Sequence, residues 1–246
     1  MQESFLAIVE RPRDGSKIYK TLRESILRLE LSPGLVIDEA GLCEQFDVSR
    51  TPIREAIIKL VSDGLVIRDG RSARVAPLDF SELPKLFDAL LVSSRLINRL
   101  AAIHRTDAHL ADIGHAMRKF ESCTAEGDSV RVQDANVAFH LAIAAAAQND
   151  YFSAFYERVV LASSRLALAC FSTSDRTADA SSKVRDELRG HFEETVRQHT
   201  MIYEAIRDRD AERADALAVM HQDLYSTRLK SMLFKSSQNL GTMALI

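Results

Sequence analysis

Residues 47–66 read DVSRTPIREAIIKLVSDGLV and determine how the first third of the chain folds. A helix is predicted to begin at Ser49 or Thr51, whose hydroxyl groups can cap it, and to stop at the glycine that follows. Apolar residues recur at helical spacing and form one inward face: Ile53, Ile57 and Leu60. That face turns Arg50 and Arg54, four residues apart, onto one exposed stripe at the start of the helix.

The flanking segments predict two further helices and a hairpin. Upstream, residues 16–29 have the apolar spacing of an amphipathic helix, and Asp38 can cap a short second helix. Downstream, Asp69-Gly70 suits a tight turn between strands at 65–68 and 72–76. Helix, helix, turn, helix and hairpin is the order of a winged helix-turn-helix, whose third helix enters the major groove of DNA.

Composition and charge agree with this interpretation. The 246 residues include only nine glycines and five prolines, which favours a mainly α fold. The net charge is −3, yet residues 49–74 hold six basic and three acidic side chains. Arg50 and Arg54 are either DNA contacts or ordinary solvated arginines. Cations are slightly unfavourable at a helix N-terminus, which favours the first interpretation.

The remainder of the chain is predicted to be all-helical. Helices are expected at 83–103, 107–122, 129–148, 151–172, 186–209 and 210–232, with an exposed loop at 173–182 and a frayed tail at 235–246. We therefore expect a winged helix-turn-helix domain at 1–78 and an all-α helical bundle at 79–246. Without a long apolar run or a signal-peptide pattern, and with three widely spaced cysteines, the chain is expected to be cytoplasmic and free of the membrane.

Three of the seven histidines, His140, His199 and His221, fall on apolar faces of predicted helices. Neutral imidazoles from separate helices can together hold a divalent metal ion. A lone core histidine bonded to a carbonyl or to water fits the same pattern, so spacing alone leaves both interpretations open. The other four are predicted at the surface or its boundary: His104, His109, His115 and His191.

The amino-terminal motif resembles that of GntR-superfamily bacterial transcription regulators. The matching residues are Ser49-Arg50-Thr51-Pro52-Ile53-Arg54-Glu55-Ala56, followed by Asp63-Gly64-Leu65-Val66 and preceded by Leu31-Ser32-Pro33-Gly34. The resemblance implies operator contacts from Ser49, Arg50, Thr51 and Arg54 in the helix, and from Arg71 and Arg74 in a hairpin that acts as the wing. Ala40 and Ser72 depart from the family pattern, so the operator sequence does not transfer.

The helical half resembles the ligand-binding domain, called FCD, of the FadR-type branch of that family. The matching stretches are Asn136 to His140 with Asn149, then His199 to Ile206, Asp210 and Met220-His221. In metal-binding members an Asp and a His four residues apart join two later histidines around a divalent ion, beside which a small carboxylate effector binds. The corresponding residues here are Asn136, His140, His199 and His221.

Two departures bear on that site. Asn136 offers a neutral oxygen where the family has a carboxylate, so we expect weakened binding of zinc, nickel or manganese. Asp134 is a second candidate donor, but six residues from His140 it lies most of the way round the helix. Leu90 and Ser94 stand where the family often carries an Arg and a Glu, which predicts an effector pocket that is either less polar or loaded with different polar groups.

These features predict a bacterial transcription regulator that binds a palindromic operator in double-stranded DNA as a homodimer and responds to a small, carboxylate-type metabolite. One helix reads only a few base pairs, so specificity needs two half-sites. The alternatives are a metal-dependent hydrolase built on the three histidines and a winged-helix module that binds only protein. Hydrolysis needs an acid or base beside the metal, and the chain has no His-Glu-x-x-His run, so we expect no enzyme.

Overall fold

The computed structural model describes residues 15–70, 72–126, 128–175 and 182–239, with side chains described there except at 129, 170–175, 182–185 and 232–239. The chain separates into two compact units, and the division falls between Asp79 and Phe80. None of the helices in the described ranges is both long and apolar enough to cross a bilayer.

The first unit contains three helices and a small antiparallel sheet within its described residues. The helices are α1 (Gly15–Leu27), α2 (Glu39–Phe46) and α3 (Arg50–Ser62). The strands are β1 (Val36–Ile37), β2 (Val66–Asp69) and β3 (Ser72–Val75), in the order β1-β3-β2. This is the predicted winged helix-turn-helix, with the short extended segment at Val36 added to the hairpin as an edge strand.

Local chemistry explains where the helices of this unit begin and end. Asp38 accepts a hydrogen bond from the Ala40 amide at 3.0 Å and so caps α2, while Asp47, with φ of 55°, ends it in the left-handed region. Gly64, with φ of 73°, follows α3 and allows the chain to reverse. Ser49 occupies the predicted cap position of α3, but its side chain makes no capping hydrogen bond.

The second unit consists, over the residues described, of a short 3-10 turn (Phe80–Glu82) and six helices. These are α4 (Leu83–His104), α5 (Asp107–Glu126), α6 (Ser129–Ala146), α7 (Asp150–Asp175), α8 (Ser182–Arg207) and α9 (Ala211–Asn239). Each contributes large buried side chains to one continuous core, among them Ile97, Ile113, Phe139, Tyr156, Ile202 and Leu217. The predicted mainly α fold is thereby confirmed.

Several helix boundaries differ from the sequence-based expectation: α5 continues past the predicted residue 122 to Glu126, and α6 ends at Ala146 rather than at residue 148. The loop predicted at 173–182 is helical at both ends, because α7 continues through Asp175 and α8 begins at Ser182; residues 176–181 lie outside the described part. The predicted tail is helical over residues 235–239, since α9 continues to Asn239; residues 240–246 lie outside the described part. Polar residues do not by themselves end a helix, and the first strong helix breaker after α9 begins is Gly241.

We predict that Ile57→Ala lowers the unfolding free energy of the first unit by about 2–5 kcal/mol, because Ile57 is fully buried and the change leaves a cavity. Ile58→Ala is the matched control. Ile58, the next residue along the chain, is 60% exposed, so its truncation should change the unfolding free energy by no more than about 0.5 kcal/mol. Amide hydrogen exchange within this unit measures both effects separately from the second unit. Equal losses would show that α3 buries a different face.

Candidate functional site

The start of α3 presents the residues predicted to contact DNA. Ser49, Arg50, Thr51 and Arg54 are all exposed, while Ile53 beneath them is fully buried. A cationic, hydroxyl-rich helix start with its apolar side anchored in a core is suited to phosphate and base-edge contacts. The predicted exposure of the arginine stripe is therefore present in the structure.

Of the two arginines predicted as wing contacts, Arg74 lies among the described residues. Arg74 is half-buried and donates a hydrogen bond from Nη1 to the Gly34 carbonyl oxygen at 3.0 Å, so its guanidinium helps hold β3 to the segment before β1. Arg71 lies outside the described residues. Arg68 in β2, exposed over 40% of its side chain, is a second cation on the hairpin that the DNA-contact prediction did not single out.

Glu39, at the start of α2, contacts both helix α3 and the β2–β3 hairpin. Its carboxylate lies 3.5 Å from Nε of Arg54 and 4.0 Å from Nη2 of Arg68. Such exposed ion pairs contribute little to stability, so the consequence is positional: one acidic side chain holds a cation of α3 beside a cation of the β2–β3 hairpin. The contact joins separate elements, and no residue spacing in the sequence indicates it.

In the second unit, three imidazoles come together from three helices. His140 of α6, His199 of α8 and His221 of α9 are 6%, 0% and 6% exposed. A ring nitrogen from each lies within 4.8 Å of the others, and the ring centroids are 4.9 to 5.5 Å apart. This grouping is the one that the inward-facing positions predicted, and it matches the mutual approach needed for ligands of one ion.

Hydrogen bonds orient two of these rings. Nδ1 of His221 lies 3.1 Å from Oε1 of Gln198, and an amide oxygen can only accept, so Nδ1 carries the proton and Nε2 keeps its lone pair. Gln198 is fixed in turn by donating to Glu194 at 2.7 Å. Nδ1 of His140 lies 3.2 Å from the Tyr156 hydroxyl. Outer partners of this kind set the ring orientation of metal-binding histidines.

The third ring, His199, has no such partner. Both of its nitrogens are buried and make no hydrogen bond to any described residue. The imidazole stacks on Phe139, with centroids 4.0 Å apart, and packs against Phe120 at 4.6 Å. A buried polar atom left unpaired costs about 1–3 kcal/mol, and a divalent ion accepting the lone pair would remove that cost. The residues present therefore fit a metal ion.

Burial keeps all three imidazoles neutral near pH 7. It lowers the pKa of His140 to about 4. The pKa values of His199 and His221 are well below the ordinary value, first because of burial and then because of neighbouring histidines. Neutral imidazole is the form that binds a metal, so these nitrogens are available without loss of a proton.

A cavity opens beside the histidines. About 60 Å³ of it is open to the centres of water-sized molecules, which is room for a few waters or a small ligand. Both predicted residues Leu90 and Asn136 line it, whereas Ser94 is buried behind the wall, accepting a hydrogen bond from Gln222 at 2.9 Å. Asp134 is exposed and is not part of the lining. The cavity is bordered by Leu90, Phe120, Val132, Gln133, Asn136, His140, Tyr156, Val160, Ser163, His191, Phe192, Thr195, His221, Gln222, Leu224 and Tyr225.

The described lining contains neither an acidic nor a Lys or Arg side chain. His191, predicted at the surface or its boundary, is half-buried and belongs to the wall; burial and then the charge of Arg228 lower its pKa to about 4. Arg228 itself lies 3.6 Å from Glu187. The wall is therefore uncharged, which agrees with the less polar of the two pockets predicted from Leu90 and Ser94.

Two family models match the chain. The model described as "Bacterial regulatory proteins, gntR family" covers residues 15–75, and the model described as "FCD domain" covers residues 95–224. The first coincides with the winged unit and the second contains all three histidines.

Relatives agree with these matches. The HTH-type transcriptional regulator LutR of Bacillus subtilis is 31% identical over 49% of this chain and 62% of its own length. The HTH-type transcriptional repressor GlaR of Escherichia coli is 27% identical over 82% of this chain and 90% of its own length. The chain thus spans less than two thirds of LutR but most of GlaR. Among solved structures, E. coli McbR/YncC has a TM-score of 0.72 at 18% identity, covering 92% of this chain and all of that one, a likeness of fold.

We predict that His199→Leu leaves the metal-free protein at least as stable as the wild type at pH 7, within about 1 kcal/mol. The change removes two unpartnered buried nitrogens and puts an apolar side chain of similar volume in place of the imidazole. Urea denaturation in the presence of chelator, with hydrogen exchange within the second unit, measures the difference. A loss above about 2 kcal/mol would mean that the protein itself satisfies the imidazole.

The same measurement has a predictable pH dependence. The unfolded chain protonates its histidines as the pH falls through about 6.5, whereas folded His140 does so only near pH 4. The metal-free protein should therefore lose stability as the pH falls from about 6.5 to 4. His199→Leu should reduce that loss because one buried imidazole is gone, while His115→Leu, at an exposed histidine, should behave as the wild type.

Proposed function

The chain belongs to the GntR family of bacterial regulatory proteins and carries the FCD domain of the FadR-type branch, and from this premise we propose that it is a DNA-binding transcription regulator controlled by a small metabolite. The observation that carries the proposal is the start of α3, where Arg50 and Arg54 are exposed above a fully buried Ile53. Cations at the start of a recognition helix are suited to meet the edges of bases, which supports the proposal.

Binding as a homodimer follows from the size of this surface. One helix reads only a few base pairs, so useful specificity needs two half-sites presented by two copies related by a two-fold axis. The operator is accordingly a palindrome in double-stranded DNA, and the protein acts in the cytoplasm, where bacterial DNA is found. Contacts to phosphates should make affinity fall steeply with salt concentration.

The effector is proposed to bind in the cavity of the second unit. His140, His199 and His221 would hold a divalent ion such as zinc, nickel or manganese, with Asn136 as a neutral fourth donor in the same wall. When bound, the ion supplies a positive charge that can coordinate a carboxylate. The described lining offers no other cation, so a carboxylate effector depends on the ion for charge recognition.

Control by this effector requires that it bind the DNA-competent and DNA-incompetent arrangements of the dimer with different affinities. Hydrolysis is not supported as an alternative. The lining within the described residues lacks a carboxylate that could act as acid or base near the histidines, and the relatives are named as transcription regulators.

We predict that the double variant Arg50→Ala, Arg54→Ala stays folded but loses at least about 100-fold in affinity for its operator, because both side chains are exposed and each base or phosphate contact contributes about 1–3 kcal/mol. The operator is obtained by selecting random double-stranded DNA with the wild type. Fluorescence anisotropy at several salt concentrations then gives affinity and salt dependence.

Lys17→Ala, Lys20→Ala is the control for this experiment, since it also removes two exposed cations, from α1 of the same unit. It should retain most of the affinity. If the wild type selects no DNA sequence, transcription regulation through DNA is the wrong function; if the arginine variant binds as tightly as the control, the recognition surface is misplaced.

We also predict that Asn136→Asp binds divalent metal at least about tenfold more tightly than the wild type, because a carboxylate adds a negative charge to a set of neutral donors. Competition with a chelator, followed by metal analysis, measures the affinity of each variant. Asp134→Asn is the matched control and should leave it unchanged, because Asp134 is exposed outside the cavity. Loss of metal from Asp134→Asn would identify that residue as the oxygen donor instead.

A further inference from the structure

The beginning of α7 presents three aromatic side chains to solvent. Tyr151 is 91% exposed, Phe152 44% and Phe155 48%. Taken together, the exposed ring surface is on the order of 400 Å², since an aromatic side chain can bury about 150–250 Å². A contiguous apolar patch of this size on a protein surface is typical of an interaction site.

A neighbouring segment extends the patch. The side chain of Gln148, in the turn before α7, donates a hydrogen bond to the carbonyl oxygen of His104 at the end of α4. That bond holds the end of α4 beside the start of α7. Ile103, which is 46% exposed, lies in this last turn of α4.

The exposed face of α7 carries an acidic and a basic residue that could pair with the same two residues of a second copy. Asp150, Ala154 and Arg158 are four residues apart, so they lie along one line of the helix, and all three are exposed. If two copies of α7 cross antiparallel at Ala154, Asp150 of each copy lies opposite Arg158 of the other. The alanine at the crossing point permits close approach, and Tyr151 and Phe155 flank it on both copies.

Neither charged side chain is committed elsewhere in the part of the chain that the structure describes. Asp150 and Arg158 make no ion pair or side-chain hydrogen bond with any described residue. A two-fold interface would therefore gain two ion pairs without breaking existing ones. Isologous contacts of this kind, in which residue i meets residue j and j meets i, are the commonest form of homodimer interface.

We propose that this face of α7 is the dimer interface of the protein and that its occupant is a second copy of the same chain. The inference rests on the proposed function, which requires a homodimer, and adds the surface through which it forms. A stable dimer buries about 800 Å² per partner, roughly twice the aromatic patch, so the flanking exposed residues of α7 and the end of α4 belong to the interface as well.

Charge reversal tests the assignment without relying on any ligand. Asp150→Arg and Arg158→Asp should each weaken dimerisation by at least about tenfold, because each places like charges opposite one another. The double variant restores the opposite signs and should recover most of the affinity. Sedimentation equilibrium over a range of concentrations measures the dimer dissociation constant, and circular dichroism checks folding.

Phe155→Glu should separate the dimer more strongly than either reversal, since it puts a charge into the aromatic patch. Val219→Glu is the matched control, an apolar residue on α9 that is 40% exposed, and it should leave dimerisation unchanged. A wild type that is monomeric would overturn the proposed homodimer. A dimeric wild type whose α7 variants dissociate no more readily than Val219→Glu, or whose double reversal is no tighter than the single ones, would overturn only the surface.

Discussion

Burial of His199 between two phenylalanine rings removes its nitrogens from water, and no described residue replaces the lost hydrogen bonds. The cost is tolerable only because burial holds the pKa of the imidazole far below its usual value and so keeps the ring uncharged. The neighbouring rings are arranged around this one: His221 is oriented by Gln198 and His140 contacts Tyr156. A core optimised for stability alone would place an apolar residue at this position, and the presence of a histidine there agrees with a site that is completed by a ligand.

The composition of the cavity wall determines how that ligand is recognised. The polar side chains that line the cavity beside the histidines are uncharged. Arg228, whose charge helps to lower the pKa of His191, is paired with Glu187. A carboxylate moved from water into such a wall loses hydration that neutral donors replace only in part. In the proposed site the positive charge would come with the ion. Compared with a carboxylate donor, Asn136 would leave such an ion with more net positive charge toward the effector while weakening its attachment to the protein.

Sequence periodicity predicted the features that depend on one element at a time. The exposed arginines of α3 and the inward histidines follow from which side of a helix is apolar, and the Asp38 cap follows from local hydrogen bonding. Contacts between elements were not predictable in this way. Glu39 beside Arg54 joins α2 to α3, and Gln198 beside His221 joins α8 to α9; each requires the crossing geometry of two helices, which a single sequence does not encode in any spacing. The hydrogen bond from Arg74 to the Gly34 carbonyl oxygen was unpredictable for the same reason, since the two residues are 40 positions apart.

The proposed interface and the candidate metal site share one helical turn. Phe155 faces solvent on α7, and the next residue, Tyr156, is 1% exposed, lines the cavity and contacts His140. Because consecutive residues on a helix point about 100° apart, a rotation of α7 that accommodates an effector at Tyr156 also rotates the aromatic patch. A dimer held by that patch would have to adjust its crossing geometry or lose contact area. Coupling between effector and dimer then needs no long chain of intermediates, only two packings of α7 that the effector distinguishes.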